Sequence, residues 1–196
     1  MTTKYFIERE RNETNHLNFY YYTNAFSNEE VQNILVLGES QNKQNAVTGT
    51  NSKPNDYRVS EIAWIDGTSN SKWLYDKVAS LAYDANKTMW NFDVWGYHDD
   101  FQYTKYYGGD QGHYDWHMDL GPNMSNRKLS CVIQLSDPSD YEGGELEFNL
   151  GYTILSVPKG KGVITFFPSF LLHRVTPVTK GTRISLVTWL CGANLR

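Results

Sequence analysis

Two closely spaced His-x-Asp pairs are the residues of this chain with the most recognisable chemistry. His113 with Asp115, and His117 with Asp119, each place an imidazole and a carboxylate two residues apart. Because alternate residues of a β-strand face the same side, either pair could bind one metal ion. His173, which begins the late segment HRVTPVTKGTRISLVTW, is the best candidate for a third ligand. Two histidines and one carboxylate on one face of a metal leave other positions open for small molecules.

Arg183, ten residues after His173, adds a second chemical feature to this metal site. An arginine presents a fork of N–H donors that matches a carboxylate. Together, the His-x-Asp pair, the distant histidine and the arginine are typical of non-haem Fe(II) sites that take a dicarboxylate and O₂. Arg183, Ser185, Val187 and Trp189 alternate, so we expect them to share one face that lines the cavity. For Trp189, simple core packing is the alternative.

The composition indicates a globular chain with much β-structure. Its 196 residues fit one compact domain spanning 1–196, and 40% apolar residues suffice for a sizeable core. An aromatic content of 15% favours β-sheets, whose half-buried surfaces suit flat rings. The net charge of −4, without a basic block, gives no indication of a nucleic-acid partner.

Cysteine usage and hydropathy favour a soluble, cytoplasmic protein without a membrane partner. Cys131 and Cys191 lie within apolar runs, which is typical of reduced and buried packing residues rather than of a disulfide framework. No apolar run has the length that a membrane span requires. The charged N-terminus MTTKYFIERERNE lacks the apolar centre of a signal peptide.

Two helices are predicted in the first half of the chain. The first begins at Ser27, which has capping-box spacing to Glu30, and Gly38 is a natural stop. The second covers roughly residues 71–90. The apolar residues that recur there on one helical face are Leu74, Val78, Leu81, Ala85 and Met89.

The remaining segments predict a loop followed by many strands. The polar stretch at about 40–57 is predicted to be a long mobile loop, and YRVSEIAWI after it a strand. Beyond Trp90, short aromatic and β-branched runs alternate with Gly and Pro turns, which favours a sandwich or barrel. We therefore expect a mainly β jelly roll with flanking helices, with helical support at about 25–90 and the core at about 91–196.

Three segments in the second half carry a family resemblance: FQYTKYYGGDQGHYDWHMD, KLSCVIQLSDPSDYEGGELEF and FPSFLLHRVTPVTKGTRISLVTW. They resemble the prolyl-4-hydroxylase-like branch of the 2-oxoglutarate oxygenases, and in particular the small PKHD-type hydroxylases of bacteria and phage. The upstream RVSEIAW is similar to the Arg-x-Ser strand of this group. The family pattern Tyr-x-x-His-x-Asp is met by residues 114–119, so the resemblance selects His117 and Asp119 over His113 and Asp115.

The resemblance implies a double-stranded β-helix with a resident iron. Fe(II) would be bound by His117, Asp119 and His173, with 2-oxoglutarate as cosubstrate, O₂ as oxidant and ascorbate as a reductant. Arg183 would bind the distal carboxylate of 2-oxoglutarate.

Further residues of the cosubstrate pocket are implied in the same way. Gln134 occupies the position where some animal relatives have a tyrosine that hydrogen-bonds the cosubstrate, and an amide can also donate. Tyr107 aligns with a pocket tyrosine, and Tyr106 takes that place if the loop differs by one residue. Ser185 and Trp189 complete the expected cofactor-binding set.

The implied activity is hydroxylation of an unactivated C–H bond, with 2-oxoglutarate converted to succinate and CO₂. The resemblance favours a prolyl residue in a peptide or protein as substrate. The alternatives are an oxygenase for a free amino acid or other small molecule, a non-catalytic ligand-binding jelly roll, and a zinc hydrolase with the same ligands. The last two give no role to Arg183, and the sequence does not indicate an oligomeric state.

Overall fold

The structure, a computed structural model, describes residues 18–46, 57–97, 99–122 and 124–193. In these ranges the helices are α1 (Asn28–Glu39) and α2 (Lys72–Met89). The strands, numbered in chain order, are β1 (Tyr20–Tyr22), β2 (Gln44–Asn45), β3 (Arg58–Val59), β4 (Glu61–Ile65), β5 (Val94–Tyr97), β6 (Phe101–Tyr107), β7 (His113–His117), β8 (Arg127–Gln134), β9 (Tyr141–Gly143), β10 (Leu146–Asn149), β11 (Ile154–Ser156), β12 (Ile164–Pro168), β13 (His173–Val175) and β14 (Val178–Gly192).

Two antiparallel sheets pack face to face. The larger sheet has the order β1-β12-β8-β14-β6-β4-β2, and β5 and β9 also pair with β14. The smaller sheet has the order β11-β10-β13-β7-β3. The prediction of a mainly β chain with flanking helices is therefore confirmed, and the paired sheets have the arrangement of a double-stranded β-helix.

The core has two layers, one on each face of the larger sheet. Its outer face packs against α1 and α2, which bury residues such as Val31, Ile34 and Leu74. Its inner face packs against the smaller sheet, where Phe167 contacts Phe148 with ring centroids 4.8 Å apart. Central strands of the larger sheet such as β8 and β12 are thus buried on both faces. Their alternate residues are directed either to the helices or to the space between the sheets.

The first helix has the predicted start but not the predicted end. The Glu30 amide donates to the Ser27 hydroxyl (3.2 Å), and the Ser27 amide donates to the Glu30 carboxylate (2.8 Å), which confirms the capping box. The helix continues through Gly38 to Glu39, so the prediction of a stop at Gly38 was wrong. Gly38 is instead buried against the ring of Tyr103, where a Cβ atom would lie 2.3 Å from Cδ2.

The second helix agrees with the prediction, whereas the segment before it differs in two ways. The predicted loop at about 40–57 contains β2, which pairs with β4, and residues 47–56 lie outside the described ranges. The predicted strand YRVSEIAWI is divided at Ser60: β3 joins the smaller sheet and β4 joins the larger one. This short segment therefore connects the two sheets at one edge of the space between them.

Cys131 and Cys191 are both buried and in the thiol form, as predicted. In the part of the chain that the structure describes, no helix is long and apolar enough to cross a membrane.

The contact between Gly38 and Tyr103 yields a stability prediction. Alanine at position 38 gains about 1 kcal/mol of helix propensity, but its Cβ overlaps a ring that is only 1% exposed. Since overpacking costs about 1–3 kcal/mol, we expect Gly38→Ala to lower the free energy of unfolding, measured by urea denaturation followed by circular dichroism. Val36→Ala, at a position 59% exposed on the same helix, is the control and should not destabilise. A Gly38→Ala protein as stable as the wild type would contradict the packing.

Candidate metal centre and active site

Three potential metal ligands converge between the two sheets. His117 is the last residue of β7 and His173 the first of β13, and the two are paired directly across the smaller sheet. Nε2 of His117 lies 3.8 Å from Oδ1 of Asp119, and Nε2 of His173 lies 3.5 Å from Oδ2. The three ligand atoms all lie within 4.8 Å of one another, which is close enough for one ion to contact all of them.

Asp119 reaches this position by a different route from the one expected. Strand β7 ends at His117, so the alternation of a strand does not place Asp119 on the side of the histidine. The amides of Asp119 and Leu120 both donate to the carbonyl of Ser169, at 2.9 and 3.0 Å, and fix the chain just after β7. The Ser130 hydroxyl then donates to Oδ2 of Asp119 (2.6 Å).

The histidine rings have the tautomer that a metal ion requires. Nδ1 of His117 lies 2.7 Å from the carbonyl of Asp115, and Nδ1 of His173 lies 2.8 Å from that of Leu171. Because a carbonyl can only accept, each Nδ1 carries the proton, and the lone pair is on Nε2. The rival pair stays outside the centre: Asp115 is exposed, and His113 contacts the carbonyl of Gln111.

The protonation states also suit a cation. Burial and the neighbouring His173 lower the pKa of His117 to about 3, so its ring is neutral at neutral pH. Burial tends to raise the pKa of Asp119, but His173, His117 and the Ser130 hydroxyl outweigh it and hold the pKa below its ordinary value. A neutral imidazole and an ionised carboxylate are the forms in which histidine and aspartate bind metals, so the residues fit Fe(II).

A cavity of about 410 Å³ lies between the sheets beside the three ligands. The structure places Arg183, Ser185, Val187 and Trp189 of β14 along its wall, in agreement with the predicted alternation. Trp189 is 6% exposed and lowers the pKa of Asp119 further, although its indole N–H makes no hydrogen bond of standard geometry to a described residue. Trp189 is therefore both a packing residue and a wall of the cavity.

Arg183 is a buried cation whose donors are incompletely used. Its side chain is 1% exposed, and Nη1 lies 3.2 Å from the Ser185 hydroxyl. Nε and Nη2 make no hydrogen bond of standard geometry to a described residue, although the guanidinium lies close enough to Tyr141 to lower the pKa of its hydroxyl against the effect of burial. The guanidinium carbon lies 5.3 Å from the centre of the Tyr106 ring. Because a buried charge with unpaired donors is costly, the arrangement suits an anionic ligand such as the carboxylate of 2-oxoglutarate.

Tyr107 does not lie in this cavity, contrary to the expectation for it. Its hydroxyl donates to Glu61 Oε1 (2.9 Å), and it lines a separate polar cavity beside Asp110. Tyr106, which is 3% exposed, lines the main cavity instead. Because successive residues of β6 face opposite sides, one position decides which tyrosine enters. Tyr106, the alternative to Tyr107 for the pocket tyrosine, is thus the residue that the structure favours.

Gln134 lies directly opposite Ser185, which lines the main cavity, in the pairing of β8 with β14. Its side chain is 2% exposed, and Oε1 has no hydrogen-bond partner in the described part of the chain. A buried amide oxygen without a donor is unusual. Gln134 is not among the residues that line the main cavity, and its role stays a prediction.

Arg58 is a cavity residue that was not singled out from the sequence. It is 9% exposed and donates from Nη2 to Gln102 Oε1 (2.8 Å). Its guanidinium carbon lies 4.6 Å from the centre of the Tyr114 ring, which in turn stacks on His117 with centroids 3.4 Å apart. The resemblance of RVSEIAW to the Arg-x-Ser strand was the one signal that pointed to Arg58.

Arg127 is a second cavity residue that sequence reasoning missed. Its Nη2 lies 2.7 Å from Asp99 Oδ2, and its guanidinium carbon lies 3.7 Å from the centre of the Trp189 ring. Trp189 also faces Trp64, with ring centroids 6.5 Å apart. Nothing in the local pattern distinguishes Arg127 from an ordinary surface arginine at a strand start.

Comparison with known proteins supports this chemistry. Residues 101–191 match the model of the 2OG-Fe(II) oxygenase superfamily. A PKHD-type hydroxylase of Sphingopyxis alaskensis is 40% identical over 83 residues, which cover 40% of this chain and 38% of the relative. Another from Herminiimonas arsenicoxydans is 39% identical over 95 residues, covering 45% of this chain and 41% of the relative. The chain thus spans about two fifths of the length of these curated relatives.

Solved structures show the same fold. A prolyl hydroxylase of Trichoplax adhaerens, in complex with a peptide fragment of the hypoxia inducible factor oxygen degradation domain, has a TM-score of 0.76 at 24% identity, over 92% of this chain and 86% of that one. A prolyl-4-hydroxylase of Pseudomonas putida has a TM-score of 0.72 at 19% identity, over 89% and 92%. The predicted family resemblance and the predicted double-stranded β-helix are both confirmed.

The low pKa of His117 yields a prediction for the metal-free protein. Its pKa is about 3 in the folded chain against 6.5 for an ordinary histidine, so between these values the unfolded chain binds more protons. Stability should therefore fall as the pH decreases below 6.5, with a slope on the order of 1 kcal/mol per pH unit. Urea denaturation between pH 7 and 5, with a chelator present, measures it.

A matched pair of variants isolates this titration. His117→Gln removes the titrating ring and should flatten the slope. His113→Gln, which lies outside the centre, should leave it unchanged. Equal slopes in the wild type and His117→Gln would show that His117 does not carry this pH dependence.

Proposed function

We propose that this chain, whose residues 101–191 match the 2OG-Fe(II) oxygenase superfamily, is an Fe(II) and 2-oxoglutarate dependent dioxygenase that hydroxylates an unactivated C–H bond. One observation carries the proposal: His117, Asp119 and His173 share a single cavity with the buried Arg183. The first three supply a metal site with open positions, and Arg183 supplies the cation for the far end of a dicarboxylate.

Each group of the cavity has a distinct task in this proposal. The two histidines and Asp119 hold Fe(II), and Arg183 holds the distal carboxylate of 2-oxoglutarate with help from Ser185. When bound, iron with O₂ supplies the oxidation that couples decarboxylation of the cosubstrate to hydroxylation of the substrate. Apolar walls that include Val132 of β8 exclude water from this site. Ascorbate as a reductant stays a prediction.

The composition of the cavity disfavours hydrolysis by a metal-bound water. Among its described lining residues, Asp119 is the only carboxylate, and the two metal-facing imidazoles are the only histidines. A zinc hydrolase needs a further group as general base. A hydrolase or a passive binding module would also supply no anion for Nε and Nη2 of the buried Arg183.

We further propose that the substrate is a prolyl residue in a peptide or protein. The neighbouring structures bear the names of prolyl hydroxylases, and one of them was solved with a peptide. The cavity extends to the surface at Met118 and Met124, which line it and are 54% and 44% exposed. An opening lined by flexible apolar side chains suits a peptide segment better than a fully enclosed small molecule.

The cosubstrate pocket is tested by the visible absorption of bidentate 2-oxoglutarate on Fe(II) under anaerobic conditions. We expect a band in the wild type and none in His173→Ala, because the metal site has lost a ligand. Arg183→Met should weaken 2-oxoglutarate binding by roughly 10–100-fold, because a hydrogen-bonded charge contributes about 1.5–3 kcal/mol. Lys180→Gln changes an exposed charge on the same strand and is the control. A folded wild type without the band would refute the oxygenase proposal.

The substrate is tested by succinate release. We expect short proline-containing peptides to stimulate release above the uncoupled rate, whereas free proline and the same peptides with alanine in place of proline should not. Mass spectrometry should locate a gain of one oxygen atom on the prolyl residue. Stimulation by free proline alone would instead establish the small-molecule alternative.

A further inference from the structure

Two buried serines, Ser130 and Ser169, lie directly behind the proposed metal ligand Asp119. Ser130 is in β8, where it pairs with Phe167 of β12 and Trp189 of β14. Ser169 follows β12 by one residue. Their side chains are 0% and 1% exposed, and the two hydroxyl oxygens lie 3.0 Å apart.

These serines form hydrogen bonds with both the main chain and the side chain of Asp119. The Ser169 carbonyl accepts the amides of Asp119 and Leu120, while the Ser169 amide donates to the carbonyl of Lys128 in β8 (2.9 Å). The Ser130 hydroxyl donates to Oδ2 of Asp119 (2.6 Å). Both histidine ligands belong to the smaller sheet, so these contacts attach the third ligand to the larger one.

The direction of the hydroxyl hydrogen bonds follows from the contact between Ser130 and Asp119. Oδ2 of Asp119 accepts the proton of the Ser130 hydroxyl at 2.6 Å. The single hydroxyl proton of Ser130 is therefore donated to Asp119. The hydrogen bond between the two hydroxyls must then be donated by Ser169. The resulting chain runs from Ser169 through Ser130 to Asp119, and each bond strengthens the next.

We propose that Ser130, oriented by Ser169, is a positioning residue that holds Asp119 as a single-oxygen metal ligand. A carboxylate can bind a cation through one oxygen or through both. A short hydrogen bond to Oδ2 uses a lone pair of that oxygen and fixes the plane of the carboxylate. With one position taken by each residue of the triad, the positions for cosubstrate and O₂ stay open. This inference rests on the metal site of the proposed function.

The test uses Co(II) binding to the metal-free protein, with affinity from titration and ligand arrangement from the visible spectrum. We expect Ser130→Ala to bind Co(II) about 10–100-fold more weakly, as is common when a partner of a metal ligand is removed. A second oxygen of Asp119 on the metal should also raise the coordination number and weaken the visible bands. Ser169→Ala should have the same effects to a smaller extent, because it only orients Ser130.

The matched control is Thr188→Val, which removes another buried hydroxyl in the same sheet. Thr188 is 1% exposed, faces away from the cavity next to Trp189, and its hydroxyl has no hydrogen-bond partner in the described ranges. Its Co(II) affinity and spectrum should equal those of the wild type. Thermal melting of each variant shows whether it folds. If Ser130→Ala does not fold, the Co(II) measurements on Ser169→Ala provide the test.

The outcomes separate this inference from the proposed function. Tight Co(II) binding by the wild type, lost in His173→Ala, supports the metal site. If Ser130→Ala and Ser169→Ala then keep the wild-type affinity and spectrum, the positioning role is refuted while the metal site stands. If the wild type itself does not bind Co(II), the metal site is refuted and the positioning role with it.

Discussion

The attachment of Asp119 to the larger sheet is the constraint on which the proposed active site depends. The two histidines are placed by direct pairing within the smaller sheet, whereas Asp119 lies beyond the end of β7. The Ser169 carbonyl accepts the Asp119 amide and the Ser130 hydroxyl donates to the carboxylate, and these bonds hold Asp119 beside the histidines across the space between the sheets. A metal ion bound there would join the two sheets at one point, so the formation of the centre and the packing of the sheets are coupled.

Strand β14 organises the rest of the cavity through its alternation. Its inward residues extend from Arg183 at one end to Trp189 near the metal ligands, so one strand sets the separation between the proposed cosubstrate anchor and the proposed iron. Its outward residues, such as Leu186, pack against the helical side of the sheet. The same alternation applies to β6, where Tyr106 is directed inward and the Tyr107 hydroxyl donates a hydrogen bond to Glu61. The face of a strand, and not the residue type, therefore decides which tyrosine belongs to the site.

Three buried arginines border the cavity, and each has an aromatic neighbour. Arg58 lies over Tyr114, Arg127 over Trp189, and Arg183 near Tyr106. A guanidinium over a ring face is stabilised without using its N–H donors. Arg58 and Arg127 direct donors to Gln102 and Asp99, whereas Nε and Nη2 of Arg183 make no hydrogen bond of standard geometry to a described residue. Such ring contacts stabilise buried positive charge at the cavity, where the proposed anionic cosubstrate would bind.

The sequence by itself determined the features that depend on neighbouring residues: the capping box of Ser27, the helix at 72–89, the types of the metal ligands and the alternation around Arg183. Only the tertiary structure decided the features that depend on residues distant in the chain. Gly38 looked like a helix stop because its contact with Tyr103, sixty-five positions away, has no local signature. Arg58 and Arg127 became cavity residues, and Asp119 met its histidines, through partners supplied by other strands. Local patterns encode the preferred backbone dihedral angles and the side of a strand or helix on which each residue lies. A site built between two sheets is instead fixed by the packing of those sheets.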